Sequence, residues 1–247
     1  MKAWMEKWLI HRTENVITVS NTIASELARI NHIPKPLVVR NVPKFFEFPT
    51  AGLLRSAAGW GEDCPIILYQ GGLVKGRGIE YLMQGVAKVP EVYLAILGDG
   101  PMERNIASLA KDLAIENRLY KPGKVALNSL LEYTRDGTIG TCLYENTCLN
   151  NYYSLPNKLF EYLMAGVPVL ASDFPDLRQV TLGAEAGCVV DPSNPQEIAD
   201  TLRTMLSDRA KLAEMAANAR RAALESYNWE KESQKLLALY NEIQSSG

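Results

Sequence analysis

Histidine is nearly missing from this 247-residue chain: His11 and His32 are the only two, and they stand too far apart to share a metal ion. Carboxylates do not fill the gap, since no Asp-x-Asp pair is present to hold a divalent ion on a phosphate. Metal-independent chemistry is the expectation. Cysteine is also sparse. Cys64, Cys142, Cys148 and Cys188 are scattered without a C-x-x-C pair and no secretory signal opens the chain, so reduced thiols and a cytoplasmic location are expected. No apolar run reaches the ~20 residues that span a bilayer. Membrane contact is then limited to a peripheral one at the inner face. The opening segment 1–12 suits such a contact, with Trp4, Met5, Trp8 and Leu9 on one face and Lys2, Lys7 and Arg12 available on the other, although such a face can equally dock on protein. An excess of one charge is missing too. With 26 basic against 28 acidic residues there is no electrostatic footprint for nucleic acid, and a small-molecule or protein partner is expected instead.

What the chain has is apolar content, 47% of residues, in an alternating arrangement. From residue 65 onward short apolar runs alternate with helix-period segments, which predicts an α/β fold: a Rossmann-like parallel sheet with helices on both faces. The strand candidates are Ile66–Gln70, Val92–Gly98, Thr138–Leu143, Val167–Ala171 and Cys188–Val190. Between them Ile79, Leu82, Met83, Val86 and Ala87 recur at helical spacing, as do Ile198, Leu202, Met205 and Leu206. Ahead of this unit, Val16–Ser20 and Leu37–Arg40 read as strands, Thr22–Ile30 as a helix, and Asn41-Val42-Pro43 as a turn into a linker.

The densest chemistry lies in residues 150–171. Ser154 reads as an N-cap, Pro156 fits the first helical turn, and Leu159, Phe160, Leu163 and Met164 form an apolar stripe that ends at Gly166. Free N–H groups at such a helix start, together with Asn157 and Lys158, can hold an anionic diphosphate, while Glu161 one turn further in can accept hydrogen bonds from neutral hydroxyls. A second glycine-rich segment follows the first strand of the unit: Gly71-Gly72-Leu73-Val74-Lys75-Gly76-Arg77-Gly78. It lacks Walker spacing, and G-x-G-x-x-G fails because its last position falls on Tyr81. Its glycines permit close backbone approach and its two cations can neutralise charge; a solvated turn is the competing reading. Gly98-Asp99-Gly100-Pro101 follows the next strand, where Asp99 can be a helix cap for 101–114, and Pro122-Gly123-Lys124-Val125 forms a later loop.

The run Ser154–Asp173 resembles the retaining, two-Rossmann-domain glycosyltransferases of family four, in the branch carrying a "slPNKlFEYl-aGvPv-aSd" pattern. The resemblance implies glycosyl transfer from a nucleotide-diphosphate sugar, with no further cofactor. Two glutamates eight positions apart mark that family; Glu161 matches the second, which holds the ribose. The first, which contacts the donor sugar, is Tyr153 here, and Glu145, Asn151 or Tyr153 remain as its substitutes. Arg77 matches the lysine of the family's K-G step on the diphosphate. The usual arginine is Gly72, with Lys75 as a substitute. Gly98 and Gly100 match a turn at the pocket mouth, and the backbone at Gly123 and Val125 matches the loop that reads the base. Lys75, Arg77, Lys158 and the helix start at Pro156–Asn157 are then expected to stabilise the leaving group.

By the same resemblance, residues 1–42 end an N-terminal acceptor lobe plus hinge. Residues 43–225 form the donor-binding domain, and 226–247, opening with Tyr227-Asn228-Trp229-Glu230, form a C-terminal helix crossing back to the first lobe. An isolated donor lobe would be an incomplete enzyme whose acceptor is a saccharide or lipid-linked. Its end helices, bearing Trp4, Trp8, Leu9, Trp229, Leu236, Leu237 and Tyr240, would be covered by self-association or by a separate acceptor-lobe chain. The alternatives are a non-catalytic nucleotide-sugar-binding subunit and a same-fold sugar-nucleotide epimerase.

Overall fold

In the computed structural model residues 2–47 and 52–246 are described, without the side chains of residues 2–4 and 246, so the Trp4 side chain lies outside the described part. Helix α1 (Lys2–Ile10), strand β1 (Ile17–Thr18), helix α2 (Asn21–Asn31) and strand β2 (Leu37–Val38) come first. After α3 (Leu53–Ala58), strands and helices alternate as β3 (Ile66–Gln70), α4 (Ile79–Ala87), β4 (Tyr93–Leu97), α5 (Glu103–Asp112), β5 (Leu119–Gly123), α6 (Leu127–Thr134) and β6 (Ile139–Cys142). They continue with α7 (Leu149–Tyr152), α8 (Asn157–Ala165), β7 (Val169–Ser172), α9 (Pro175–Gly183), β8 (Gly187–Val190), α10 (Pro195–Ser207), α11 (Arg209–Glu225) and α12 (Trp229–Ser246).

The expected strands all form, each within a residue or two of its predicted ends. Their continuous apolar character follows from burial on both faces. Along β3, Ile66 and Leu68 enter the core under α8 and α11, whereas Ile67 and Tyr69 enter the opposite core under α4 and α10. The six strands pair in parallel in the order β5-β4-β3-β6-β7-β8. Chain order therefore reverses between β3 and β6, and ligands of such sheets bind beyond the strands' carboxyl ends at that switch.

Strand β5 was not anticipated. Its sequence Leu-Tyr-Lys-Pro-Gly places a proline within the strand, which an edge position tolerates, and β5 is the edge. Gly123, read as part of a loop, ends this strand and accepts a 2.9 Å hydrogen bond from Gly98 N–H. The N-terminal strands are shorter than predicted, two residues each, and pair in parallel with one another. Asp99 does not cap the helix that follows it. That helix starts later, at Glu103, with Met102 at the cap position and no side-chain cap.

Helix α12 anchors the N-terminal segment to the rest. Glu232, fully buried, accepts from Arg40 N–H and from the Arg40 guanidinium, both at 2.9 Å, and from Lys235 at 2.7 Å. Of the apolar end-helix residues, Trp8, Leu9, Leu237 and Tyr240 are exposed, while Trp229 and Leu236 are partly buried.

Candidate active site

Helix α8 carries the centre of the site. Its apolar residues Leu159, Phe160, Leu163 and Met164 are buried, and Gly166 closes it in the left-handed region at φ 68°. The predicted N-cap role of Ser154 is not observed. Pro156 occupies the cap position in an extended conformation (φ −80°, ψ 151°) and no side chain caps the helix, because Leu155 and Pro156 carry the chain two residues beyond Ser154 before it turns. The first N–H groups of α8 thus remain free of side-chain partners among the described residues, and they face a cleft of ≈ 370 Å³ at the switch between β3 and β6.

Glu161 lines this cleft and receives a short hydrogen bond from the Gln70 amide at the end of β3. Burial raises the Glu161 carboxyl above its usual range, while the Gln70 bond and Lys158 pull it down. Gln70 is fixed in turn: its side-chain oxygen lies 2.9 Å from the Thr134 hydroxyl, and its N–H lies 3.1 Å from the Tyr162 hydroxyl. The acceptor at Glu161 is therefore held by elements far apart in the chain.

Lys158 is only 7% exposed, and its Nζ has no hydrogen-bond partner among the described residues. The ammonium lies 3.9 Å from the centre of the Tyr69 ring and 5.4 Å from that of Tyr144. Burial pushes its pKa down to about 8. Arg77 stands on the same wall, its guanidinium 4.3 Å from the Tyr144 ring centre. The Tyr69 hydroxyl donates to the Gly72 carbonyl at 2.8 Å and ties the glycine-rich loop to the strand beneath it. Two glycines make the close approaches here. A Cβ at Gly98 would fall 1.9 Å from the Gly71 carbonyl oxygen, and one at Gly78 would fall 2.0 Å from that of Leu143.

Among the residues singled out from sequence, Gly71, Gly72, Arg77, Gly98 and Val125 line the cleft, as do Pro156, Asn157, Lys158 and Glu161. Lys75, Gly100, Gly123, Tyr153 and Ser154 do not. Lys75 is exposed, and Gly100 instead permits contact with Leu73, whose carbonyl a Cβ would meet at 2.5 Å. Tyr153 packs its ring on Tyr152 at 5.2 Å. The three substitutes for a sugar-contacting glutamate thus share one circumstance: each is engaged elsewhere. Glu145 accepts from Gly78 N–H at 3.1 Å, and Asn151 donates to the Gly76 carbonyl at 3.1 Å, so both shape the glycine-rich loop.

The stretch of chain that builds this cleft, with its glycine-rich loop and the uncapped helix bearing Lys158 and Glu161, matches a known family model. Residues 53–222 match the model of the glycosyl transferases group 1. The chain belongs to that family. An uncharacterized glycosyltransferase of Methanocaldococcus jannaschii is 26% identical over 96% of this chain and 62% of its own length. The D-inositol 3-phosphate glycosyltransferase of Xylanimonas cellulosilytica is 28% identical over 76% of the chain and 44% of its own. The chain thus spans about half to three-fifths of the length of these relatives. Among solved structures, sucrose-phosphate synthase of Thermosynechococcus elongatus superposes with a TM-score of 0.86 over 98% of this chain and 61% of its own, at 22% identity. Anabaena HepE, solved with UDP, gives 0.79 over 93% of this chain and 64% of its own, at 18% identity. These structural likenesses show the fold.

Sequence reasoning passed over Tyr69, Gln70, Leu130 and Tyr144, all of which line this cleft. Gln70 offered one signal: it is the sole polar residue of Ile-Ile-Leu-Tyr-Gln and sits at the carboxyl end of the strand. Tyr69 and Tyr144 are also core residues, since a ring face serves the cleft from a buried position.

Proposed function

We propose that this chain binds a nucleotide-diphosphate sugar and supplies the donor side of a retaining glycosyl transfer. The observation that carries the reading is the convergence of the α8 N-terminus, Lys158, Arg77 and Glu161 on one cleft. Glu161 accepts hydrogen bonds from the ribose hydroxyls. As the bond from the anomeric carbon to the diphosphate oxygen breaks, its electron pair leaves with the diphosphate. Arg77, Lys158 and the free N–H groups at Asn157 and Lys158 meet that growing charge in a partly dry site. The protein's own cations supply the neutralisation, so the reading calls for no metal ion. UDP bound to a protein of this fold supports the ligand class. The acceptor, a saccharide or a lipid-linked one, belongs to the same proposal.

Isothermal calorimetry with UDP and GDP tests it. Glu161→Ala should weaken diphosphate binding by about 1.5–3 kcal/mol, the range for a hydrogen bond to a charged group, in a protein that still folds. Unchanged affinity overturns the ribose role. A second reading, a binding subunit without turnover, is favoured by one observation: Tyr153 replaces the first glutamate and stands outside the cleft lining, with Glu145 and Asn151 committed to the glycine loop. Donor hydrolysis or transfer by the purified chain separates the two readings.

A further inference from the structure

Beside Lys124, three positive features meet at the cleft, whose lining carboxylates are Asp99 and Glu161. The α8 N-terminus contributes its partial positive charge and free N–H groups, Arg77 a guanidinium, and Lys158 an ammonium. Of these two carboxylates, Glu161, on the same helix as Lys158, already accepts from Gln70. Lys158 is more than nine-tenths buried, and none of its three donors is satisfied by a described residue. Buried ammonium groups are ordinarily paired, because an unpaired one forfeits its hydration without return. The rings of Tyr69 and Tyr144 return part of that loss, at 3.9 and 5.4 Å, but a ring face accepts no proton and carries no net charge.

We propose that the diphosphate supplies the anionic partner that Lys158 lacks in the free protein, so that ligand and proton bind to this cleft together. The inference rests on the nucleotide-diphosphate reading of the site and adds a regulation to it. The groups facing Lys158 set the sign. From its own helix comes Glu161, from β3 Tyr69, from the glycine loop Arg77, from the end of β6 Cys142, and from just beyond it Tyr144. Burial pushes the Cys142 thiol up to about 12, and the Tyr69 and Tyr144 hydroxyls are pushed up as well, so all three are neutral where Lys158 titrates. With the Cys142 thiol neutral there, Glu161 is the charged neighbour that favours the charged lysine, against burial and Arg77. In the free protein Lys158 therefore begins to lose its proton near pH 8. A bound diphosphate raises that pKa, so above pH 8 each binding event takes up a proton.

Calorimetry of UDP and GDP binding between pH 7.0 and 9.5, in paired buffers of different ionisation enthalpy, reads the proton count directly. This range lies above the secondary phosphate ionisation near about 6, which would otherwise contribute. Uptake should be near zero at pH 7 and approach one proton at pH 9, with Kd rising by about tenfold per pH unit above 8. Lys158→Met, which keeps the stem and removes the charge, should abolish the uptake and flatten the profile. Lys158→Arg, charged throughout, should flatten it while keeping affinity above that of the methionine variant. A flat profile in the unmodified chain overturns the proposal, and so does uptake that persists in both variants. Absence of any diphosphate binding across the whole pH range is a different result, which overturns the nucleotide reading itself.

Discussion

Glu232 and Lys158 are buried to a similar degree, 0% and 7% exposed, and the chain treats them in opposite ways. Glu232, on α12, is met by Arg40 through its backbone and its guanidinium and by Lys235 through its ammonium. Burial alone would raise its pKa, but the bonds from Lys235 and Arg40 outweigh it and hold the carboxyl below the usual range. Lys158, on α8, has ring faces and no hydrogen-bond partner among the described residues. The contrast separates two uses of buried charge: one locks the terminal helix onto residues 40–45, and the other stays unsatisfied at the mouth of a cleft. A buried charge whose partners are all present is structural; one without a partner is a candidate for meeting a ligand.

Breaking the satisfied charge should have the largest effect. Glu232→Ala strands the Arg40 guanidinium beside the Tyr227 ring and should cost about 3 kcal/mol by denaturant unfolding. The pH dependence follows from the lowered folded-state pKa of Glu232: its contribution is present above the unfolded value of 4.5 and is lost as pH falls through the folded one. Acid unfolding of the variant should accordingly be less steep than that of the unmodified chain. A variant as stable as the original would remove the distinction drawn here.

Relieving the unsatisfied charge should do the reverse. Lys158→Met should stabilise the ligand-free protein by about 1–2 kcal/mol at pH 7. Desolvation sets the size of that gain, and the lost ring contacts reduce it. The folded-state pKa of Lys158, about 8, lies below the ordinary lysine value of 10.5, so the penalty of the buried ammonium is fully present below pH 8. It fades as pH rises toward 10.5, and thermal melts of the two proteins should converge there. A destabilised methionine variant at pH 7 would mean that the rings satisfy the lysine by themselves.

The smallest expected effects compare two cations of one loop. Arg77→Ala should weaken diphosphate binding by about 1.5 kcal/mol and nucleoside binding by much less, because only the diphosphate carries the charge it meets. Added salt should act in the same direction. Lys75→Ala should change diphosphate affinity by no more than about 0.5 kcal/mol, since its side chain is exposed and outside the cleft lining. Equal losses at the two positions would place both on the ligand.

How far the site was legible depended on the distance over which each feature is specified. Glu161, Lys158 and Asn157 were readable because one helix and the loop before it carry them all, and an apolar stripe with a closing glycine fixes that helix locally. Gln70 and Tyr144 were not, because their roles come from neighbours on helices α6 and α8 and on the glycine-rich loop. The Gln70 bond to Glu161 joins residues 91 apart in the chain. Lys75, read as a substitute for the loop's usual arginine, is exposed and outside the cleft lining for a related reason: position on a glycine-rich loop does not say which way a side chain turns. Ser154 was read as a cap from residue type, and the extended Leu155-Pro156 step displaced the helix start.

The sequence by itself determined the alternation of strands and helices, the apolar faces that bury them and the family pattern around Glu161, because periodicity and turn chemistry act over a few residues. Tertiary structure alone decided the strand order β5-β4-β3-β6-β7-β8, and with it which strand ends share the cleft. It also decided that Glu232 would find Arg40, 192 residues away, while Lys158 would find aromatic rings and no hydrogen-bond partner among the described residues. Pairing is a property of what the fold brings within about 4 Å, and no local pattern encodes that distance.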